Sequence, residues 1–431
     1  MFKKVLAVVL AVLLLAGALS FTVFAEEEPT VTEIRTVEDL YMINLDLAGN
    51  YKLMNDIDLT EATAEGGDWD YVGNGWEPIG SNGIYSGDTP FTGTFDGNGH
   101  EIKGLRLGVK TLPSGTGTTY IGLFSKNSGT IKNLIVSGNI HASAVYAGAV
   151  AGVNSGIIEN LTVSGSINVS KCGCVGAITG SNYGTIEACV NRADVSAKNN
   201  GSVHAGGIAG ITYRGGKITR CYNNGSITAT SDYEYNSSSI CAYASGITYN
   251  NGTIDNCYNT GTITASNISY YSDRREYAGI SANSSGTIDN CYNTGTAKKA
   301  ISYGAVTNCY FLSGSGADTT GAKSLTAAQM KLKAMYRGFD FDNTWFIDNT
   351  GEYPYPQLIN NAAYPPVQPT EPETDAPTEP ETAEPTVAPK VYYLGDVDGD
   401  GDATVVDATY IQRYATRVNV PYPVGELIPM D

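Results

Sequence analysis

Asp396, Asp398, Asp400, Asp402, Thr404 and Asp407 set oxygen-bearing side chains at positions one, three, five, seven, nine and twelve of a twelve-residue run, with Gly401 at the sixth. A hard cation such as calcium takes roughly six to eight oxygen ligands, and a loop this short encloses the ion only if its backbone turns sharply at the centre. Gly401 supplies that turn. Asp396, Asp398 and Asp400 would give side-chain oxygens, Asp402 its carbonyl, Thr404 a hydroxyl or a bridging water, and Asp407 the closing carboxylate. The chemistry this spacing predicts is Ca2+ binding. The plainer alternative is an acidic, solvated turn.

The loop runs straight into the helical pattern Ala408 to Arg417, and together they resemble the first half of a dockerin, the module that attaches cellulosome components to cohesin domains of a scaffold protein. The resemblance rests on Asp407 where ordinary EF-hands use Glu, on a Pro/Thr/Glu tract in place of the incoming helix, and on Gln412, Arg413 and Arg417 beyond the loop. It implies a cohesin partner contacted by Val405, Val406, Gln412, Arg413 and Arg417. Val405 and Val406 packing on their own helix is the alternative. Dockerins carry the loop and helix twice, whereas this chain stops at Gly425 to Asp431 where a second copy would begin, so it reads as truncated. A lone loop and helix of about forty residues is too small to bury a core.

The elements ahead of that loop follow from composition. Lys3 and Lys4, the apolar run Val5 to Leu19 and the small-residue end at Ala25 predict a secretory signal peptide over residues 1–25. No second long apolar span follows, so the mature chain is expected to be extracellular, cellulosome- or cell-surface-associated, without a transmembrane anchor. A formal net charge of -18 argues against nucleic acid and anionic membrane partners. Residues 362–390 contain the tract Pro365 to Pro389, too rich in Pro, Thr and Glu to fold and stiff enough to act as a spacer before the partial dockerin at 391–431.

Between Ile121 and Tyr310 the chain repeats every 27 to 36 residues or so, with the anchors Gly129-Thr-Ile-Lys-Asn-Leu134, Gly156-Ile-Ile-Glu-Asn-Leu161, Gly184-Thr-Ile-Glu-Ala-Cys189, Gly216-Lys-Ile-Thr-Arg-Cys221, Gly252-Thr-Ile-Asp-Asn-Cys257, Gly286-Thr-Ile-Asp-Asn-Cys291 and Gly304-Ala-Val-Thr-Asn-Cys309. Short strands between Gly and Asn corners bury a face only by stacking. The predicted fold is all-β, a right-handed parallel β-helix over 121–312 with helical caps, plus the small C-terminal α EF-hand-like half. The anchors are similar to GLUG-type repeats of exported bacterial proteins. Residues 26–120 are expected to form an N-terminal cap and first coils, with a capping-box helix opened by Thr36 and Asp39. Residues 313–361 are expected to form a C-terminal cap with a helix from Ser324 to Met335.

Three columns of the repeat carry candidate chemistry. Cys189, Cys221, Cys257, Cys291 and Cys309 fall in the slot of Leu134 and Leu161, which predicts a buried ladder of free thiols; disulfides are the alternative in an exported chain. Tyr222, Tyr258, Tyr292 and Tyr310 follow those cysteines and should point outward as an aromatic stripe, either a platform for sugar rings or a self-stacking ladder that steadies the coils. Asp255 and Asp289 belong to a polar column with Lys132, Glu159, Glu187 and Thr219. One rung apart, they would be close enough for acid–base work on a glycoside or lyase substrate, or a mere product of the repeat. His100, His141 and His204 are scattered.

The resemblance to dockerin-bearing proteins implies a secreted, cohesin-docked protein whose β-helix captures or helps degrade plant polysaccharide. The alternatives are a polysaccharide lyase or glycoside hydrolase working on an outer face, and an adhesin or structural surface protein.

Overall fold

Apart from two strands of fourteen residues, most strands here span two to six, too short to bury a face alone, so each finds its partners in the coil before and the coil after. The computed structural model describes residues 30–359 except 71–72, 82–88, 108–119, 233–240, 268–274, 284 and 349–352, all within the first of two compact units. The segments expected to be a signal peptide, a linker and a partial dockerin lie outside the described residues.

The central coils pass through three parallel stacks. A six-stranded sheet is built from Tyr120–Ile121, Tyr146–Ala147, Cys174–Gly176, Val203–Gly206, Ala242–Ser245 and Arg275–Ala278. After a tight turn the chain enters a five-stranded sheet of Phe124–Asn127, Ala151–Asn154, Thr179–Asn182, Ala209–Thr212 and Tyr249–Asn250. It then rounds a Gly corner into the large sheet, where Thr130–Ser143 and Ile157–Ser170 run unbroken and later coils break into shorter pieces. Neighbouring coils are 27, 28, 32, 36 and 34 residues apart. This is the parallel, solenoid-like architecture expected from the repeat.

Register explains the consensus. Ile131, Ile158, Ile186, Ile218, Ile254 and Ile288 stack in one column, each at most 2% exposed, and form the spine of the core. Two residues later the backbone turns through left-handed φ values of 47–55° at Asn133, Asn160, Ala188, Arg220, Asn256, Asn290 and Asn308. Asn tolerates that region better than other non-Gly residues, which is why it dominates the corner. The residue after the corner turns inward again. There the five cysteines are at most 1% exposed, and each thiol donates to the carbonyl two residues back at 3.0–3.2 Å. All eight cysteines are unpaired and buried, as the thiol-ladder expectation required. Burial pushes the Cys189, Cys221 and Cys291 thiols well up.

Two buried amide ladders pin the other corners. Asn127, Asn154 and Asn182 link Nδ2 to Oδ1 at 2.8 and 2.9 Å, and Asn191, Asn223, Asn259 and Asn293 do so at 2.7, 2.7 and 2.8 Å. Every one of these seven side chains is fully buried. In the second ladder each Nδ2 also donates to the carbonyl two residues on, so both N–H donors of each of these buried amides are used.

The N-terminal helix spans Val37–Met42, and its capping box is closed by Asp39 N–H on Thr36 Oγ1 at 3.1 Å and Thr36 N–H on Asp39 Oδ2 at 3.0 Å. The C-terminal region differs from expectation. Ala322–Leu325 pairs as a strand with Cys309–Leu312, leaving a helix of only Ala327–Met330, capped by Thr326 and Gln329, and a single 3-10 turn at Lys333–Met335. Strand pairing on the last coil outcompetes the helical pattern at Ser324 and Leu325.

Candidate functional site

The tyrosine column is not a surface. Tyr222, Tyr258, Tyr292 and Tyr310 leave the coil in the direction the repeat predicts, and they stack, at 4.6 Å between Tyr222 and Tyr258 and 4.8 Å between Tyr258 and Tyr292. Yet they are 0–4% exposed. The segment Leu325 to Leu358 lies along the flank of the coils and covers them with Met330, Tyr336, Phe339, Trp345, Tyr353 and Leu358, forming a second hydrophobic core. The Tyr292 hydroxyl meets the Tyr353 hydroxyl at 2.9 Å and donates to the Pro356 carbonyl at 2.5 Å, while Trp345 Nε1 donates to Asn256 Oδ1 at 2.8 Å. The expectation of exposed sugar-binding rings is therefore corrected. Stacking satisfies one half of the sequence reading, and the C-terminal strap removes the other.

Asp255 and Asp289 do stand in lateral register on adjacent rungs. Their oxygens are already engaged by the corner. Asp255 accepts from Asn256 Nδ2 at 2.8 Å and Asn290 Nδ2 at 3.0 Å, and Asp289 accepts from the Asn290 N–H at 2.9 Å and Asn308 Nδ2 at 3.2 Å. Side chains this committed to the solenoid's own corner are poorly placed to take up or release a substrate proton.

A different surface emerges where the six- and five-stranded sheets meet. Gly152 lets the second sheet approach the first: a Cβ there would sit 2.7 Å from the Tyr120 Cβ, and one at Gly210 would sit 2.5 Å from Val175 N. The outward column Tyr120, Tyr146, Cys174, His204, Tyr243 and Glu276 is thereby laid beside the column Lys126, Val153, Ser181, Ile211 and Tyr249. Contacts run across the seam. Lys126 Nζ sits 4.4 Å above the Tyr120 ring, and Tyr249 packs edge-on against His204 and Tyr243 at 4.4 and 4.8 Å. Tyr120 stacks on Tyr146, His204 on Tyr243, and, at the rim, Tyr183 on Tyr213 at 4.4 Å. The Tyr146 and Tyr213 hydroxyls meet at 3.4 Å.

Tyr183 is 47% exposed. The strand residues before it pair with Asn154 and Val153, so the short Ser155 occupies its place on the preceding rung and leaves one ring face open. Burial pushes the Tyr183 and Tyr213 phenols up. The sequence carried a signal for this seam, an aromatic two residues before the Gly in Tyr120-Ile-Gly122, Tyr146-Ala-Gly148 and His204-Ala-Gly206. The repeat period hid it, because Cys174 interrupts the column.

His100 and His141 belong to neither seam column: His100 lies against Asp56 at 3.2 Å, and His141 beside Asn168, Ser196 and Lys198 at an open depression of about 290 Å³. Among the described residues no three His, Cys, Asp or Glu side chains converge as a metal-binding group. The expected calcium ligands Asp396, Asp398, Asp400, Asp402, Thr404 and Asp407, and the expected cohesin contacts Val405, Val406, Gln412, Arg413 and Arg417, lie outside the described residues.

No family model matches the chain. A curated relative from Evansella cellulosilytica, "Putative Gly-rich membrane protein", is 29% identical over 193 residues, which is 43% of this chain and 18% of that protein. The chain thus spans under a fifth of the length of the relative it matches. Among solved structures, a "putative immunoglobulin A1 protease" from Bacteroides ovatus is 18% identical with a TM-score of 0.43, over 78% of this chain and 93% of that one.

Proposed function

We propose that this is an exported, calcium-dependent, cohesin-docked protein of polysaccharide breakdown, and that its right-handed β-helix captures glycan rather than cleaving it. The observation that carries the capture reading is the half-exposed Tyr183, stacked on Tyr213 and offering an open ring face beside phenolic hydroxyls. A pyranose presents one apolar C–H face and a rim of hydroxyls, which such a platform matches. The engagement of Asp255 and Asp289 by Asn256, Asn290 and Asn308 favours capture over hydrolysis or lyase chemistry. Support for docking comes from the oxygen spacing at Asp396 to Asp407 and the dockerin resemblance of Val405, Val406, Gln412, Arg413 and Arg417. The right hand of the coil follows the general rule for parallel crossovers.

The test incubates the full chain with pectin, xylan, mannan and cellulose, scoring pelleted protein and new reducing or unsaturated ends. Pelleting without new ends is expected. New ends abolished by the Asp255→Asn, Asp289→Asn variant would establish the enzyme reading instead. Neither pelleting nor new ends would leave the adhesin or structural reading. Calcium-dependent retention on immobilised cohesin tests the docking half, and a chain retained equally in chelator would contradict it.

A further inference from the structure

The coils around Tyr183 carry a charge pattern opposite to that of the whole chain. The sequence holds 44 Asp and Glu against 26 Lys and Arg, a net charge of -18. Yet the five stretches that form the seam and the Gly corner beside it, residues 120–130, 146–157, 174–185, 204–217 and 243–253, contain no Asp or Glu. Their Lys and Arg residues are Lys126, Arg214 and Lys217. None of these three cations is in an ion pair among the described residues, and Arg214 and Lys217 are exposed. The acids begin one column further round the coil and are matched there. Glu159 stands in register with Lys132, and Glu187 is paired with Arg220.

Register brackets Tyr183 with those cations. Arg214 directly follows Tyr213, the ring on which Tyr183 stacks. Lys217 shares a column with Thr185 and Ile157 just past the Gly184 corner, and Ile157, 43% exposed, adds apolar surface on the rung of Ser155. Lys126 sits in the column of Ile211 three strand spacings earlier, about 14 Å along the solenoid axis. It is held over the Tyr120 ring, which stacks on Tyr146, whose hydroxyl in turn meets that of Tyr213.

We propose that the glycan captured at Tyr183 is a polyuronate, a chain whose sugar rings carry carboxylates. A uronate ring keeps an apolar C–H face for the phenol ring and puts its carboxylate at the ring edge, where a guanidinium or ammonium can pair with it. Cations at both ends of the aromatic patch fit a ligand longer than one sugar, with acidic groups along its length. The lack of protein carboxylates between them removes the like-charge repulsion that such a chain would meet elsewhere on this acidic protein.

This inference rests on the capture reading, and the two can fail separately. The test measures the affinity of the full chain at pH 7, by gel retardation, for polygalacturonate, for the same backbone fully methyl-esterified, and for xylan and mannan. Polygalacturonate is expected to bind about tenfold or more tightly than its ester, as three exposed ion pairs of modest strength together allow. That preference should shrink as salt rises from about 50 to about 500 mM, because screening shortens the reach of exposed charges. A Lys126→Gln, Arg214→Gln, Lys217→Gln variant should lose the preference and keep the weaker binding of the ester. Equal binding of acid and ester by the wild type would overturn the polyuronate assignment and leave capture standing. So would an intact preference in the folded variant, or xylan or mannan held more tightly than polygalacturonate. Retardation by none of the four would remove capture and this assignment with it. The comparison of acid with ester uses the wild type alone, so it decides even where the variant fails to fold.

Discussion

His204 carries the clearest residue-scale consequence of the seam. Its imidazole falls from 6.5 to about 4 on folding because burial disfavours the charged form. Above the ordinary value of 6.5 both folded and unfolded chains hold it neutral, and it contributes no pH dependence. Between 6.5 and 4 the unfolded chain binds more protons, so stability falls as pH falls, by an amount on the order of 3 kcal/mol once pH 4 is passed. His204→Phe removes this component. Urea midpoints at pH 7 and pH 4.5 should drop further for the wild type than for the variant, and equal drops would contradict the account. At this scale the sequence was informative where a repeat position has one job. The Asn corners and the Cys slot were legible because left-handed φ and interior volume restrict the choice of residue. His204 read as scattered because its column holds Tyr, Cys, His and Glu in turn, and no periodic signal survives such variety.

Among elements, the strap from Leu325 to Leu358 changes the reading most. The outward direction of Tyr222, Tyr258, Tyr292 and Tyr310 followed from strand alternation, but which element would lie over them did not. That depends on Trp345 reaching Asn256, 89 residues away in sequence, a contact with no local signature. Tyr258→Ala would open a cavity between the coil and the strap and should cost about 3–5 kcal/mol. It should also make the strap susceptible to limited proteolysis while leaving glycan retention unchanged, since the ring never reaches solvent. Loss of glycan retention in a folded Tyr258→Ala protein would restore the stripe as a binding face. The caps show the same limit in miniature. The capping box at Thr36 and Asp39 was read correctly because it is local, whereas the expected helix from Ser324 gave way to strand pairing with Phe311 and Leu312.

At the scale of the whole solenoid, every cysteine of the chain is buried and unpaired. Eight buried thiols avoid oxidation by being inaccessible. A thiol reagent should modify almost none of them in the native protein and all eight after denaturation, and a denatured chain with fewer than eight free thiols would reveal disulfides. Repetition made the architecture legible from sequence, because each anchor must align with the next for any coil to bury its Ile column. The aromatic seam was not, because it exists only once two sheets are brought together by Gly152 and its equivalents. The most direct test of glycan capture compares wild type with the Tyr183→Ala, Tyr213→Ala variant by retardation in gels containing the polysaccharide that pellets the full chain. Retardation lost in the variant, with its melting temperature within a few degrees of wild type, is the expected result. Equal retardation of the two proteins would contradict the account.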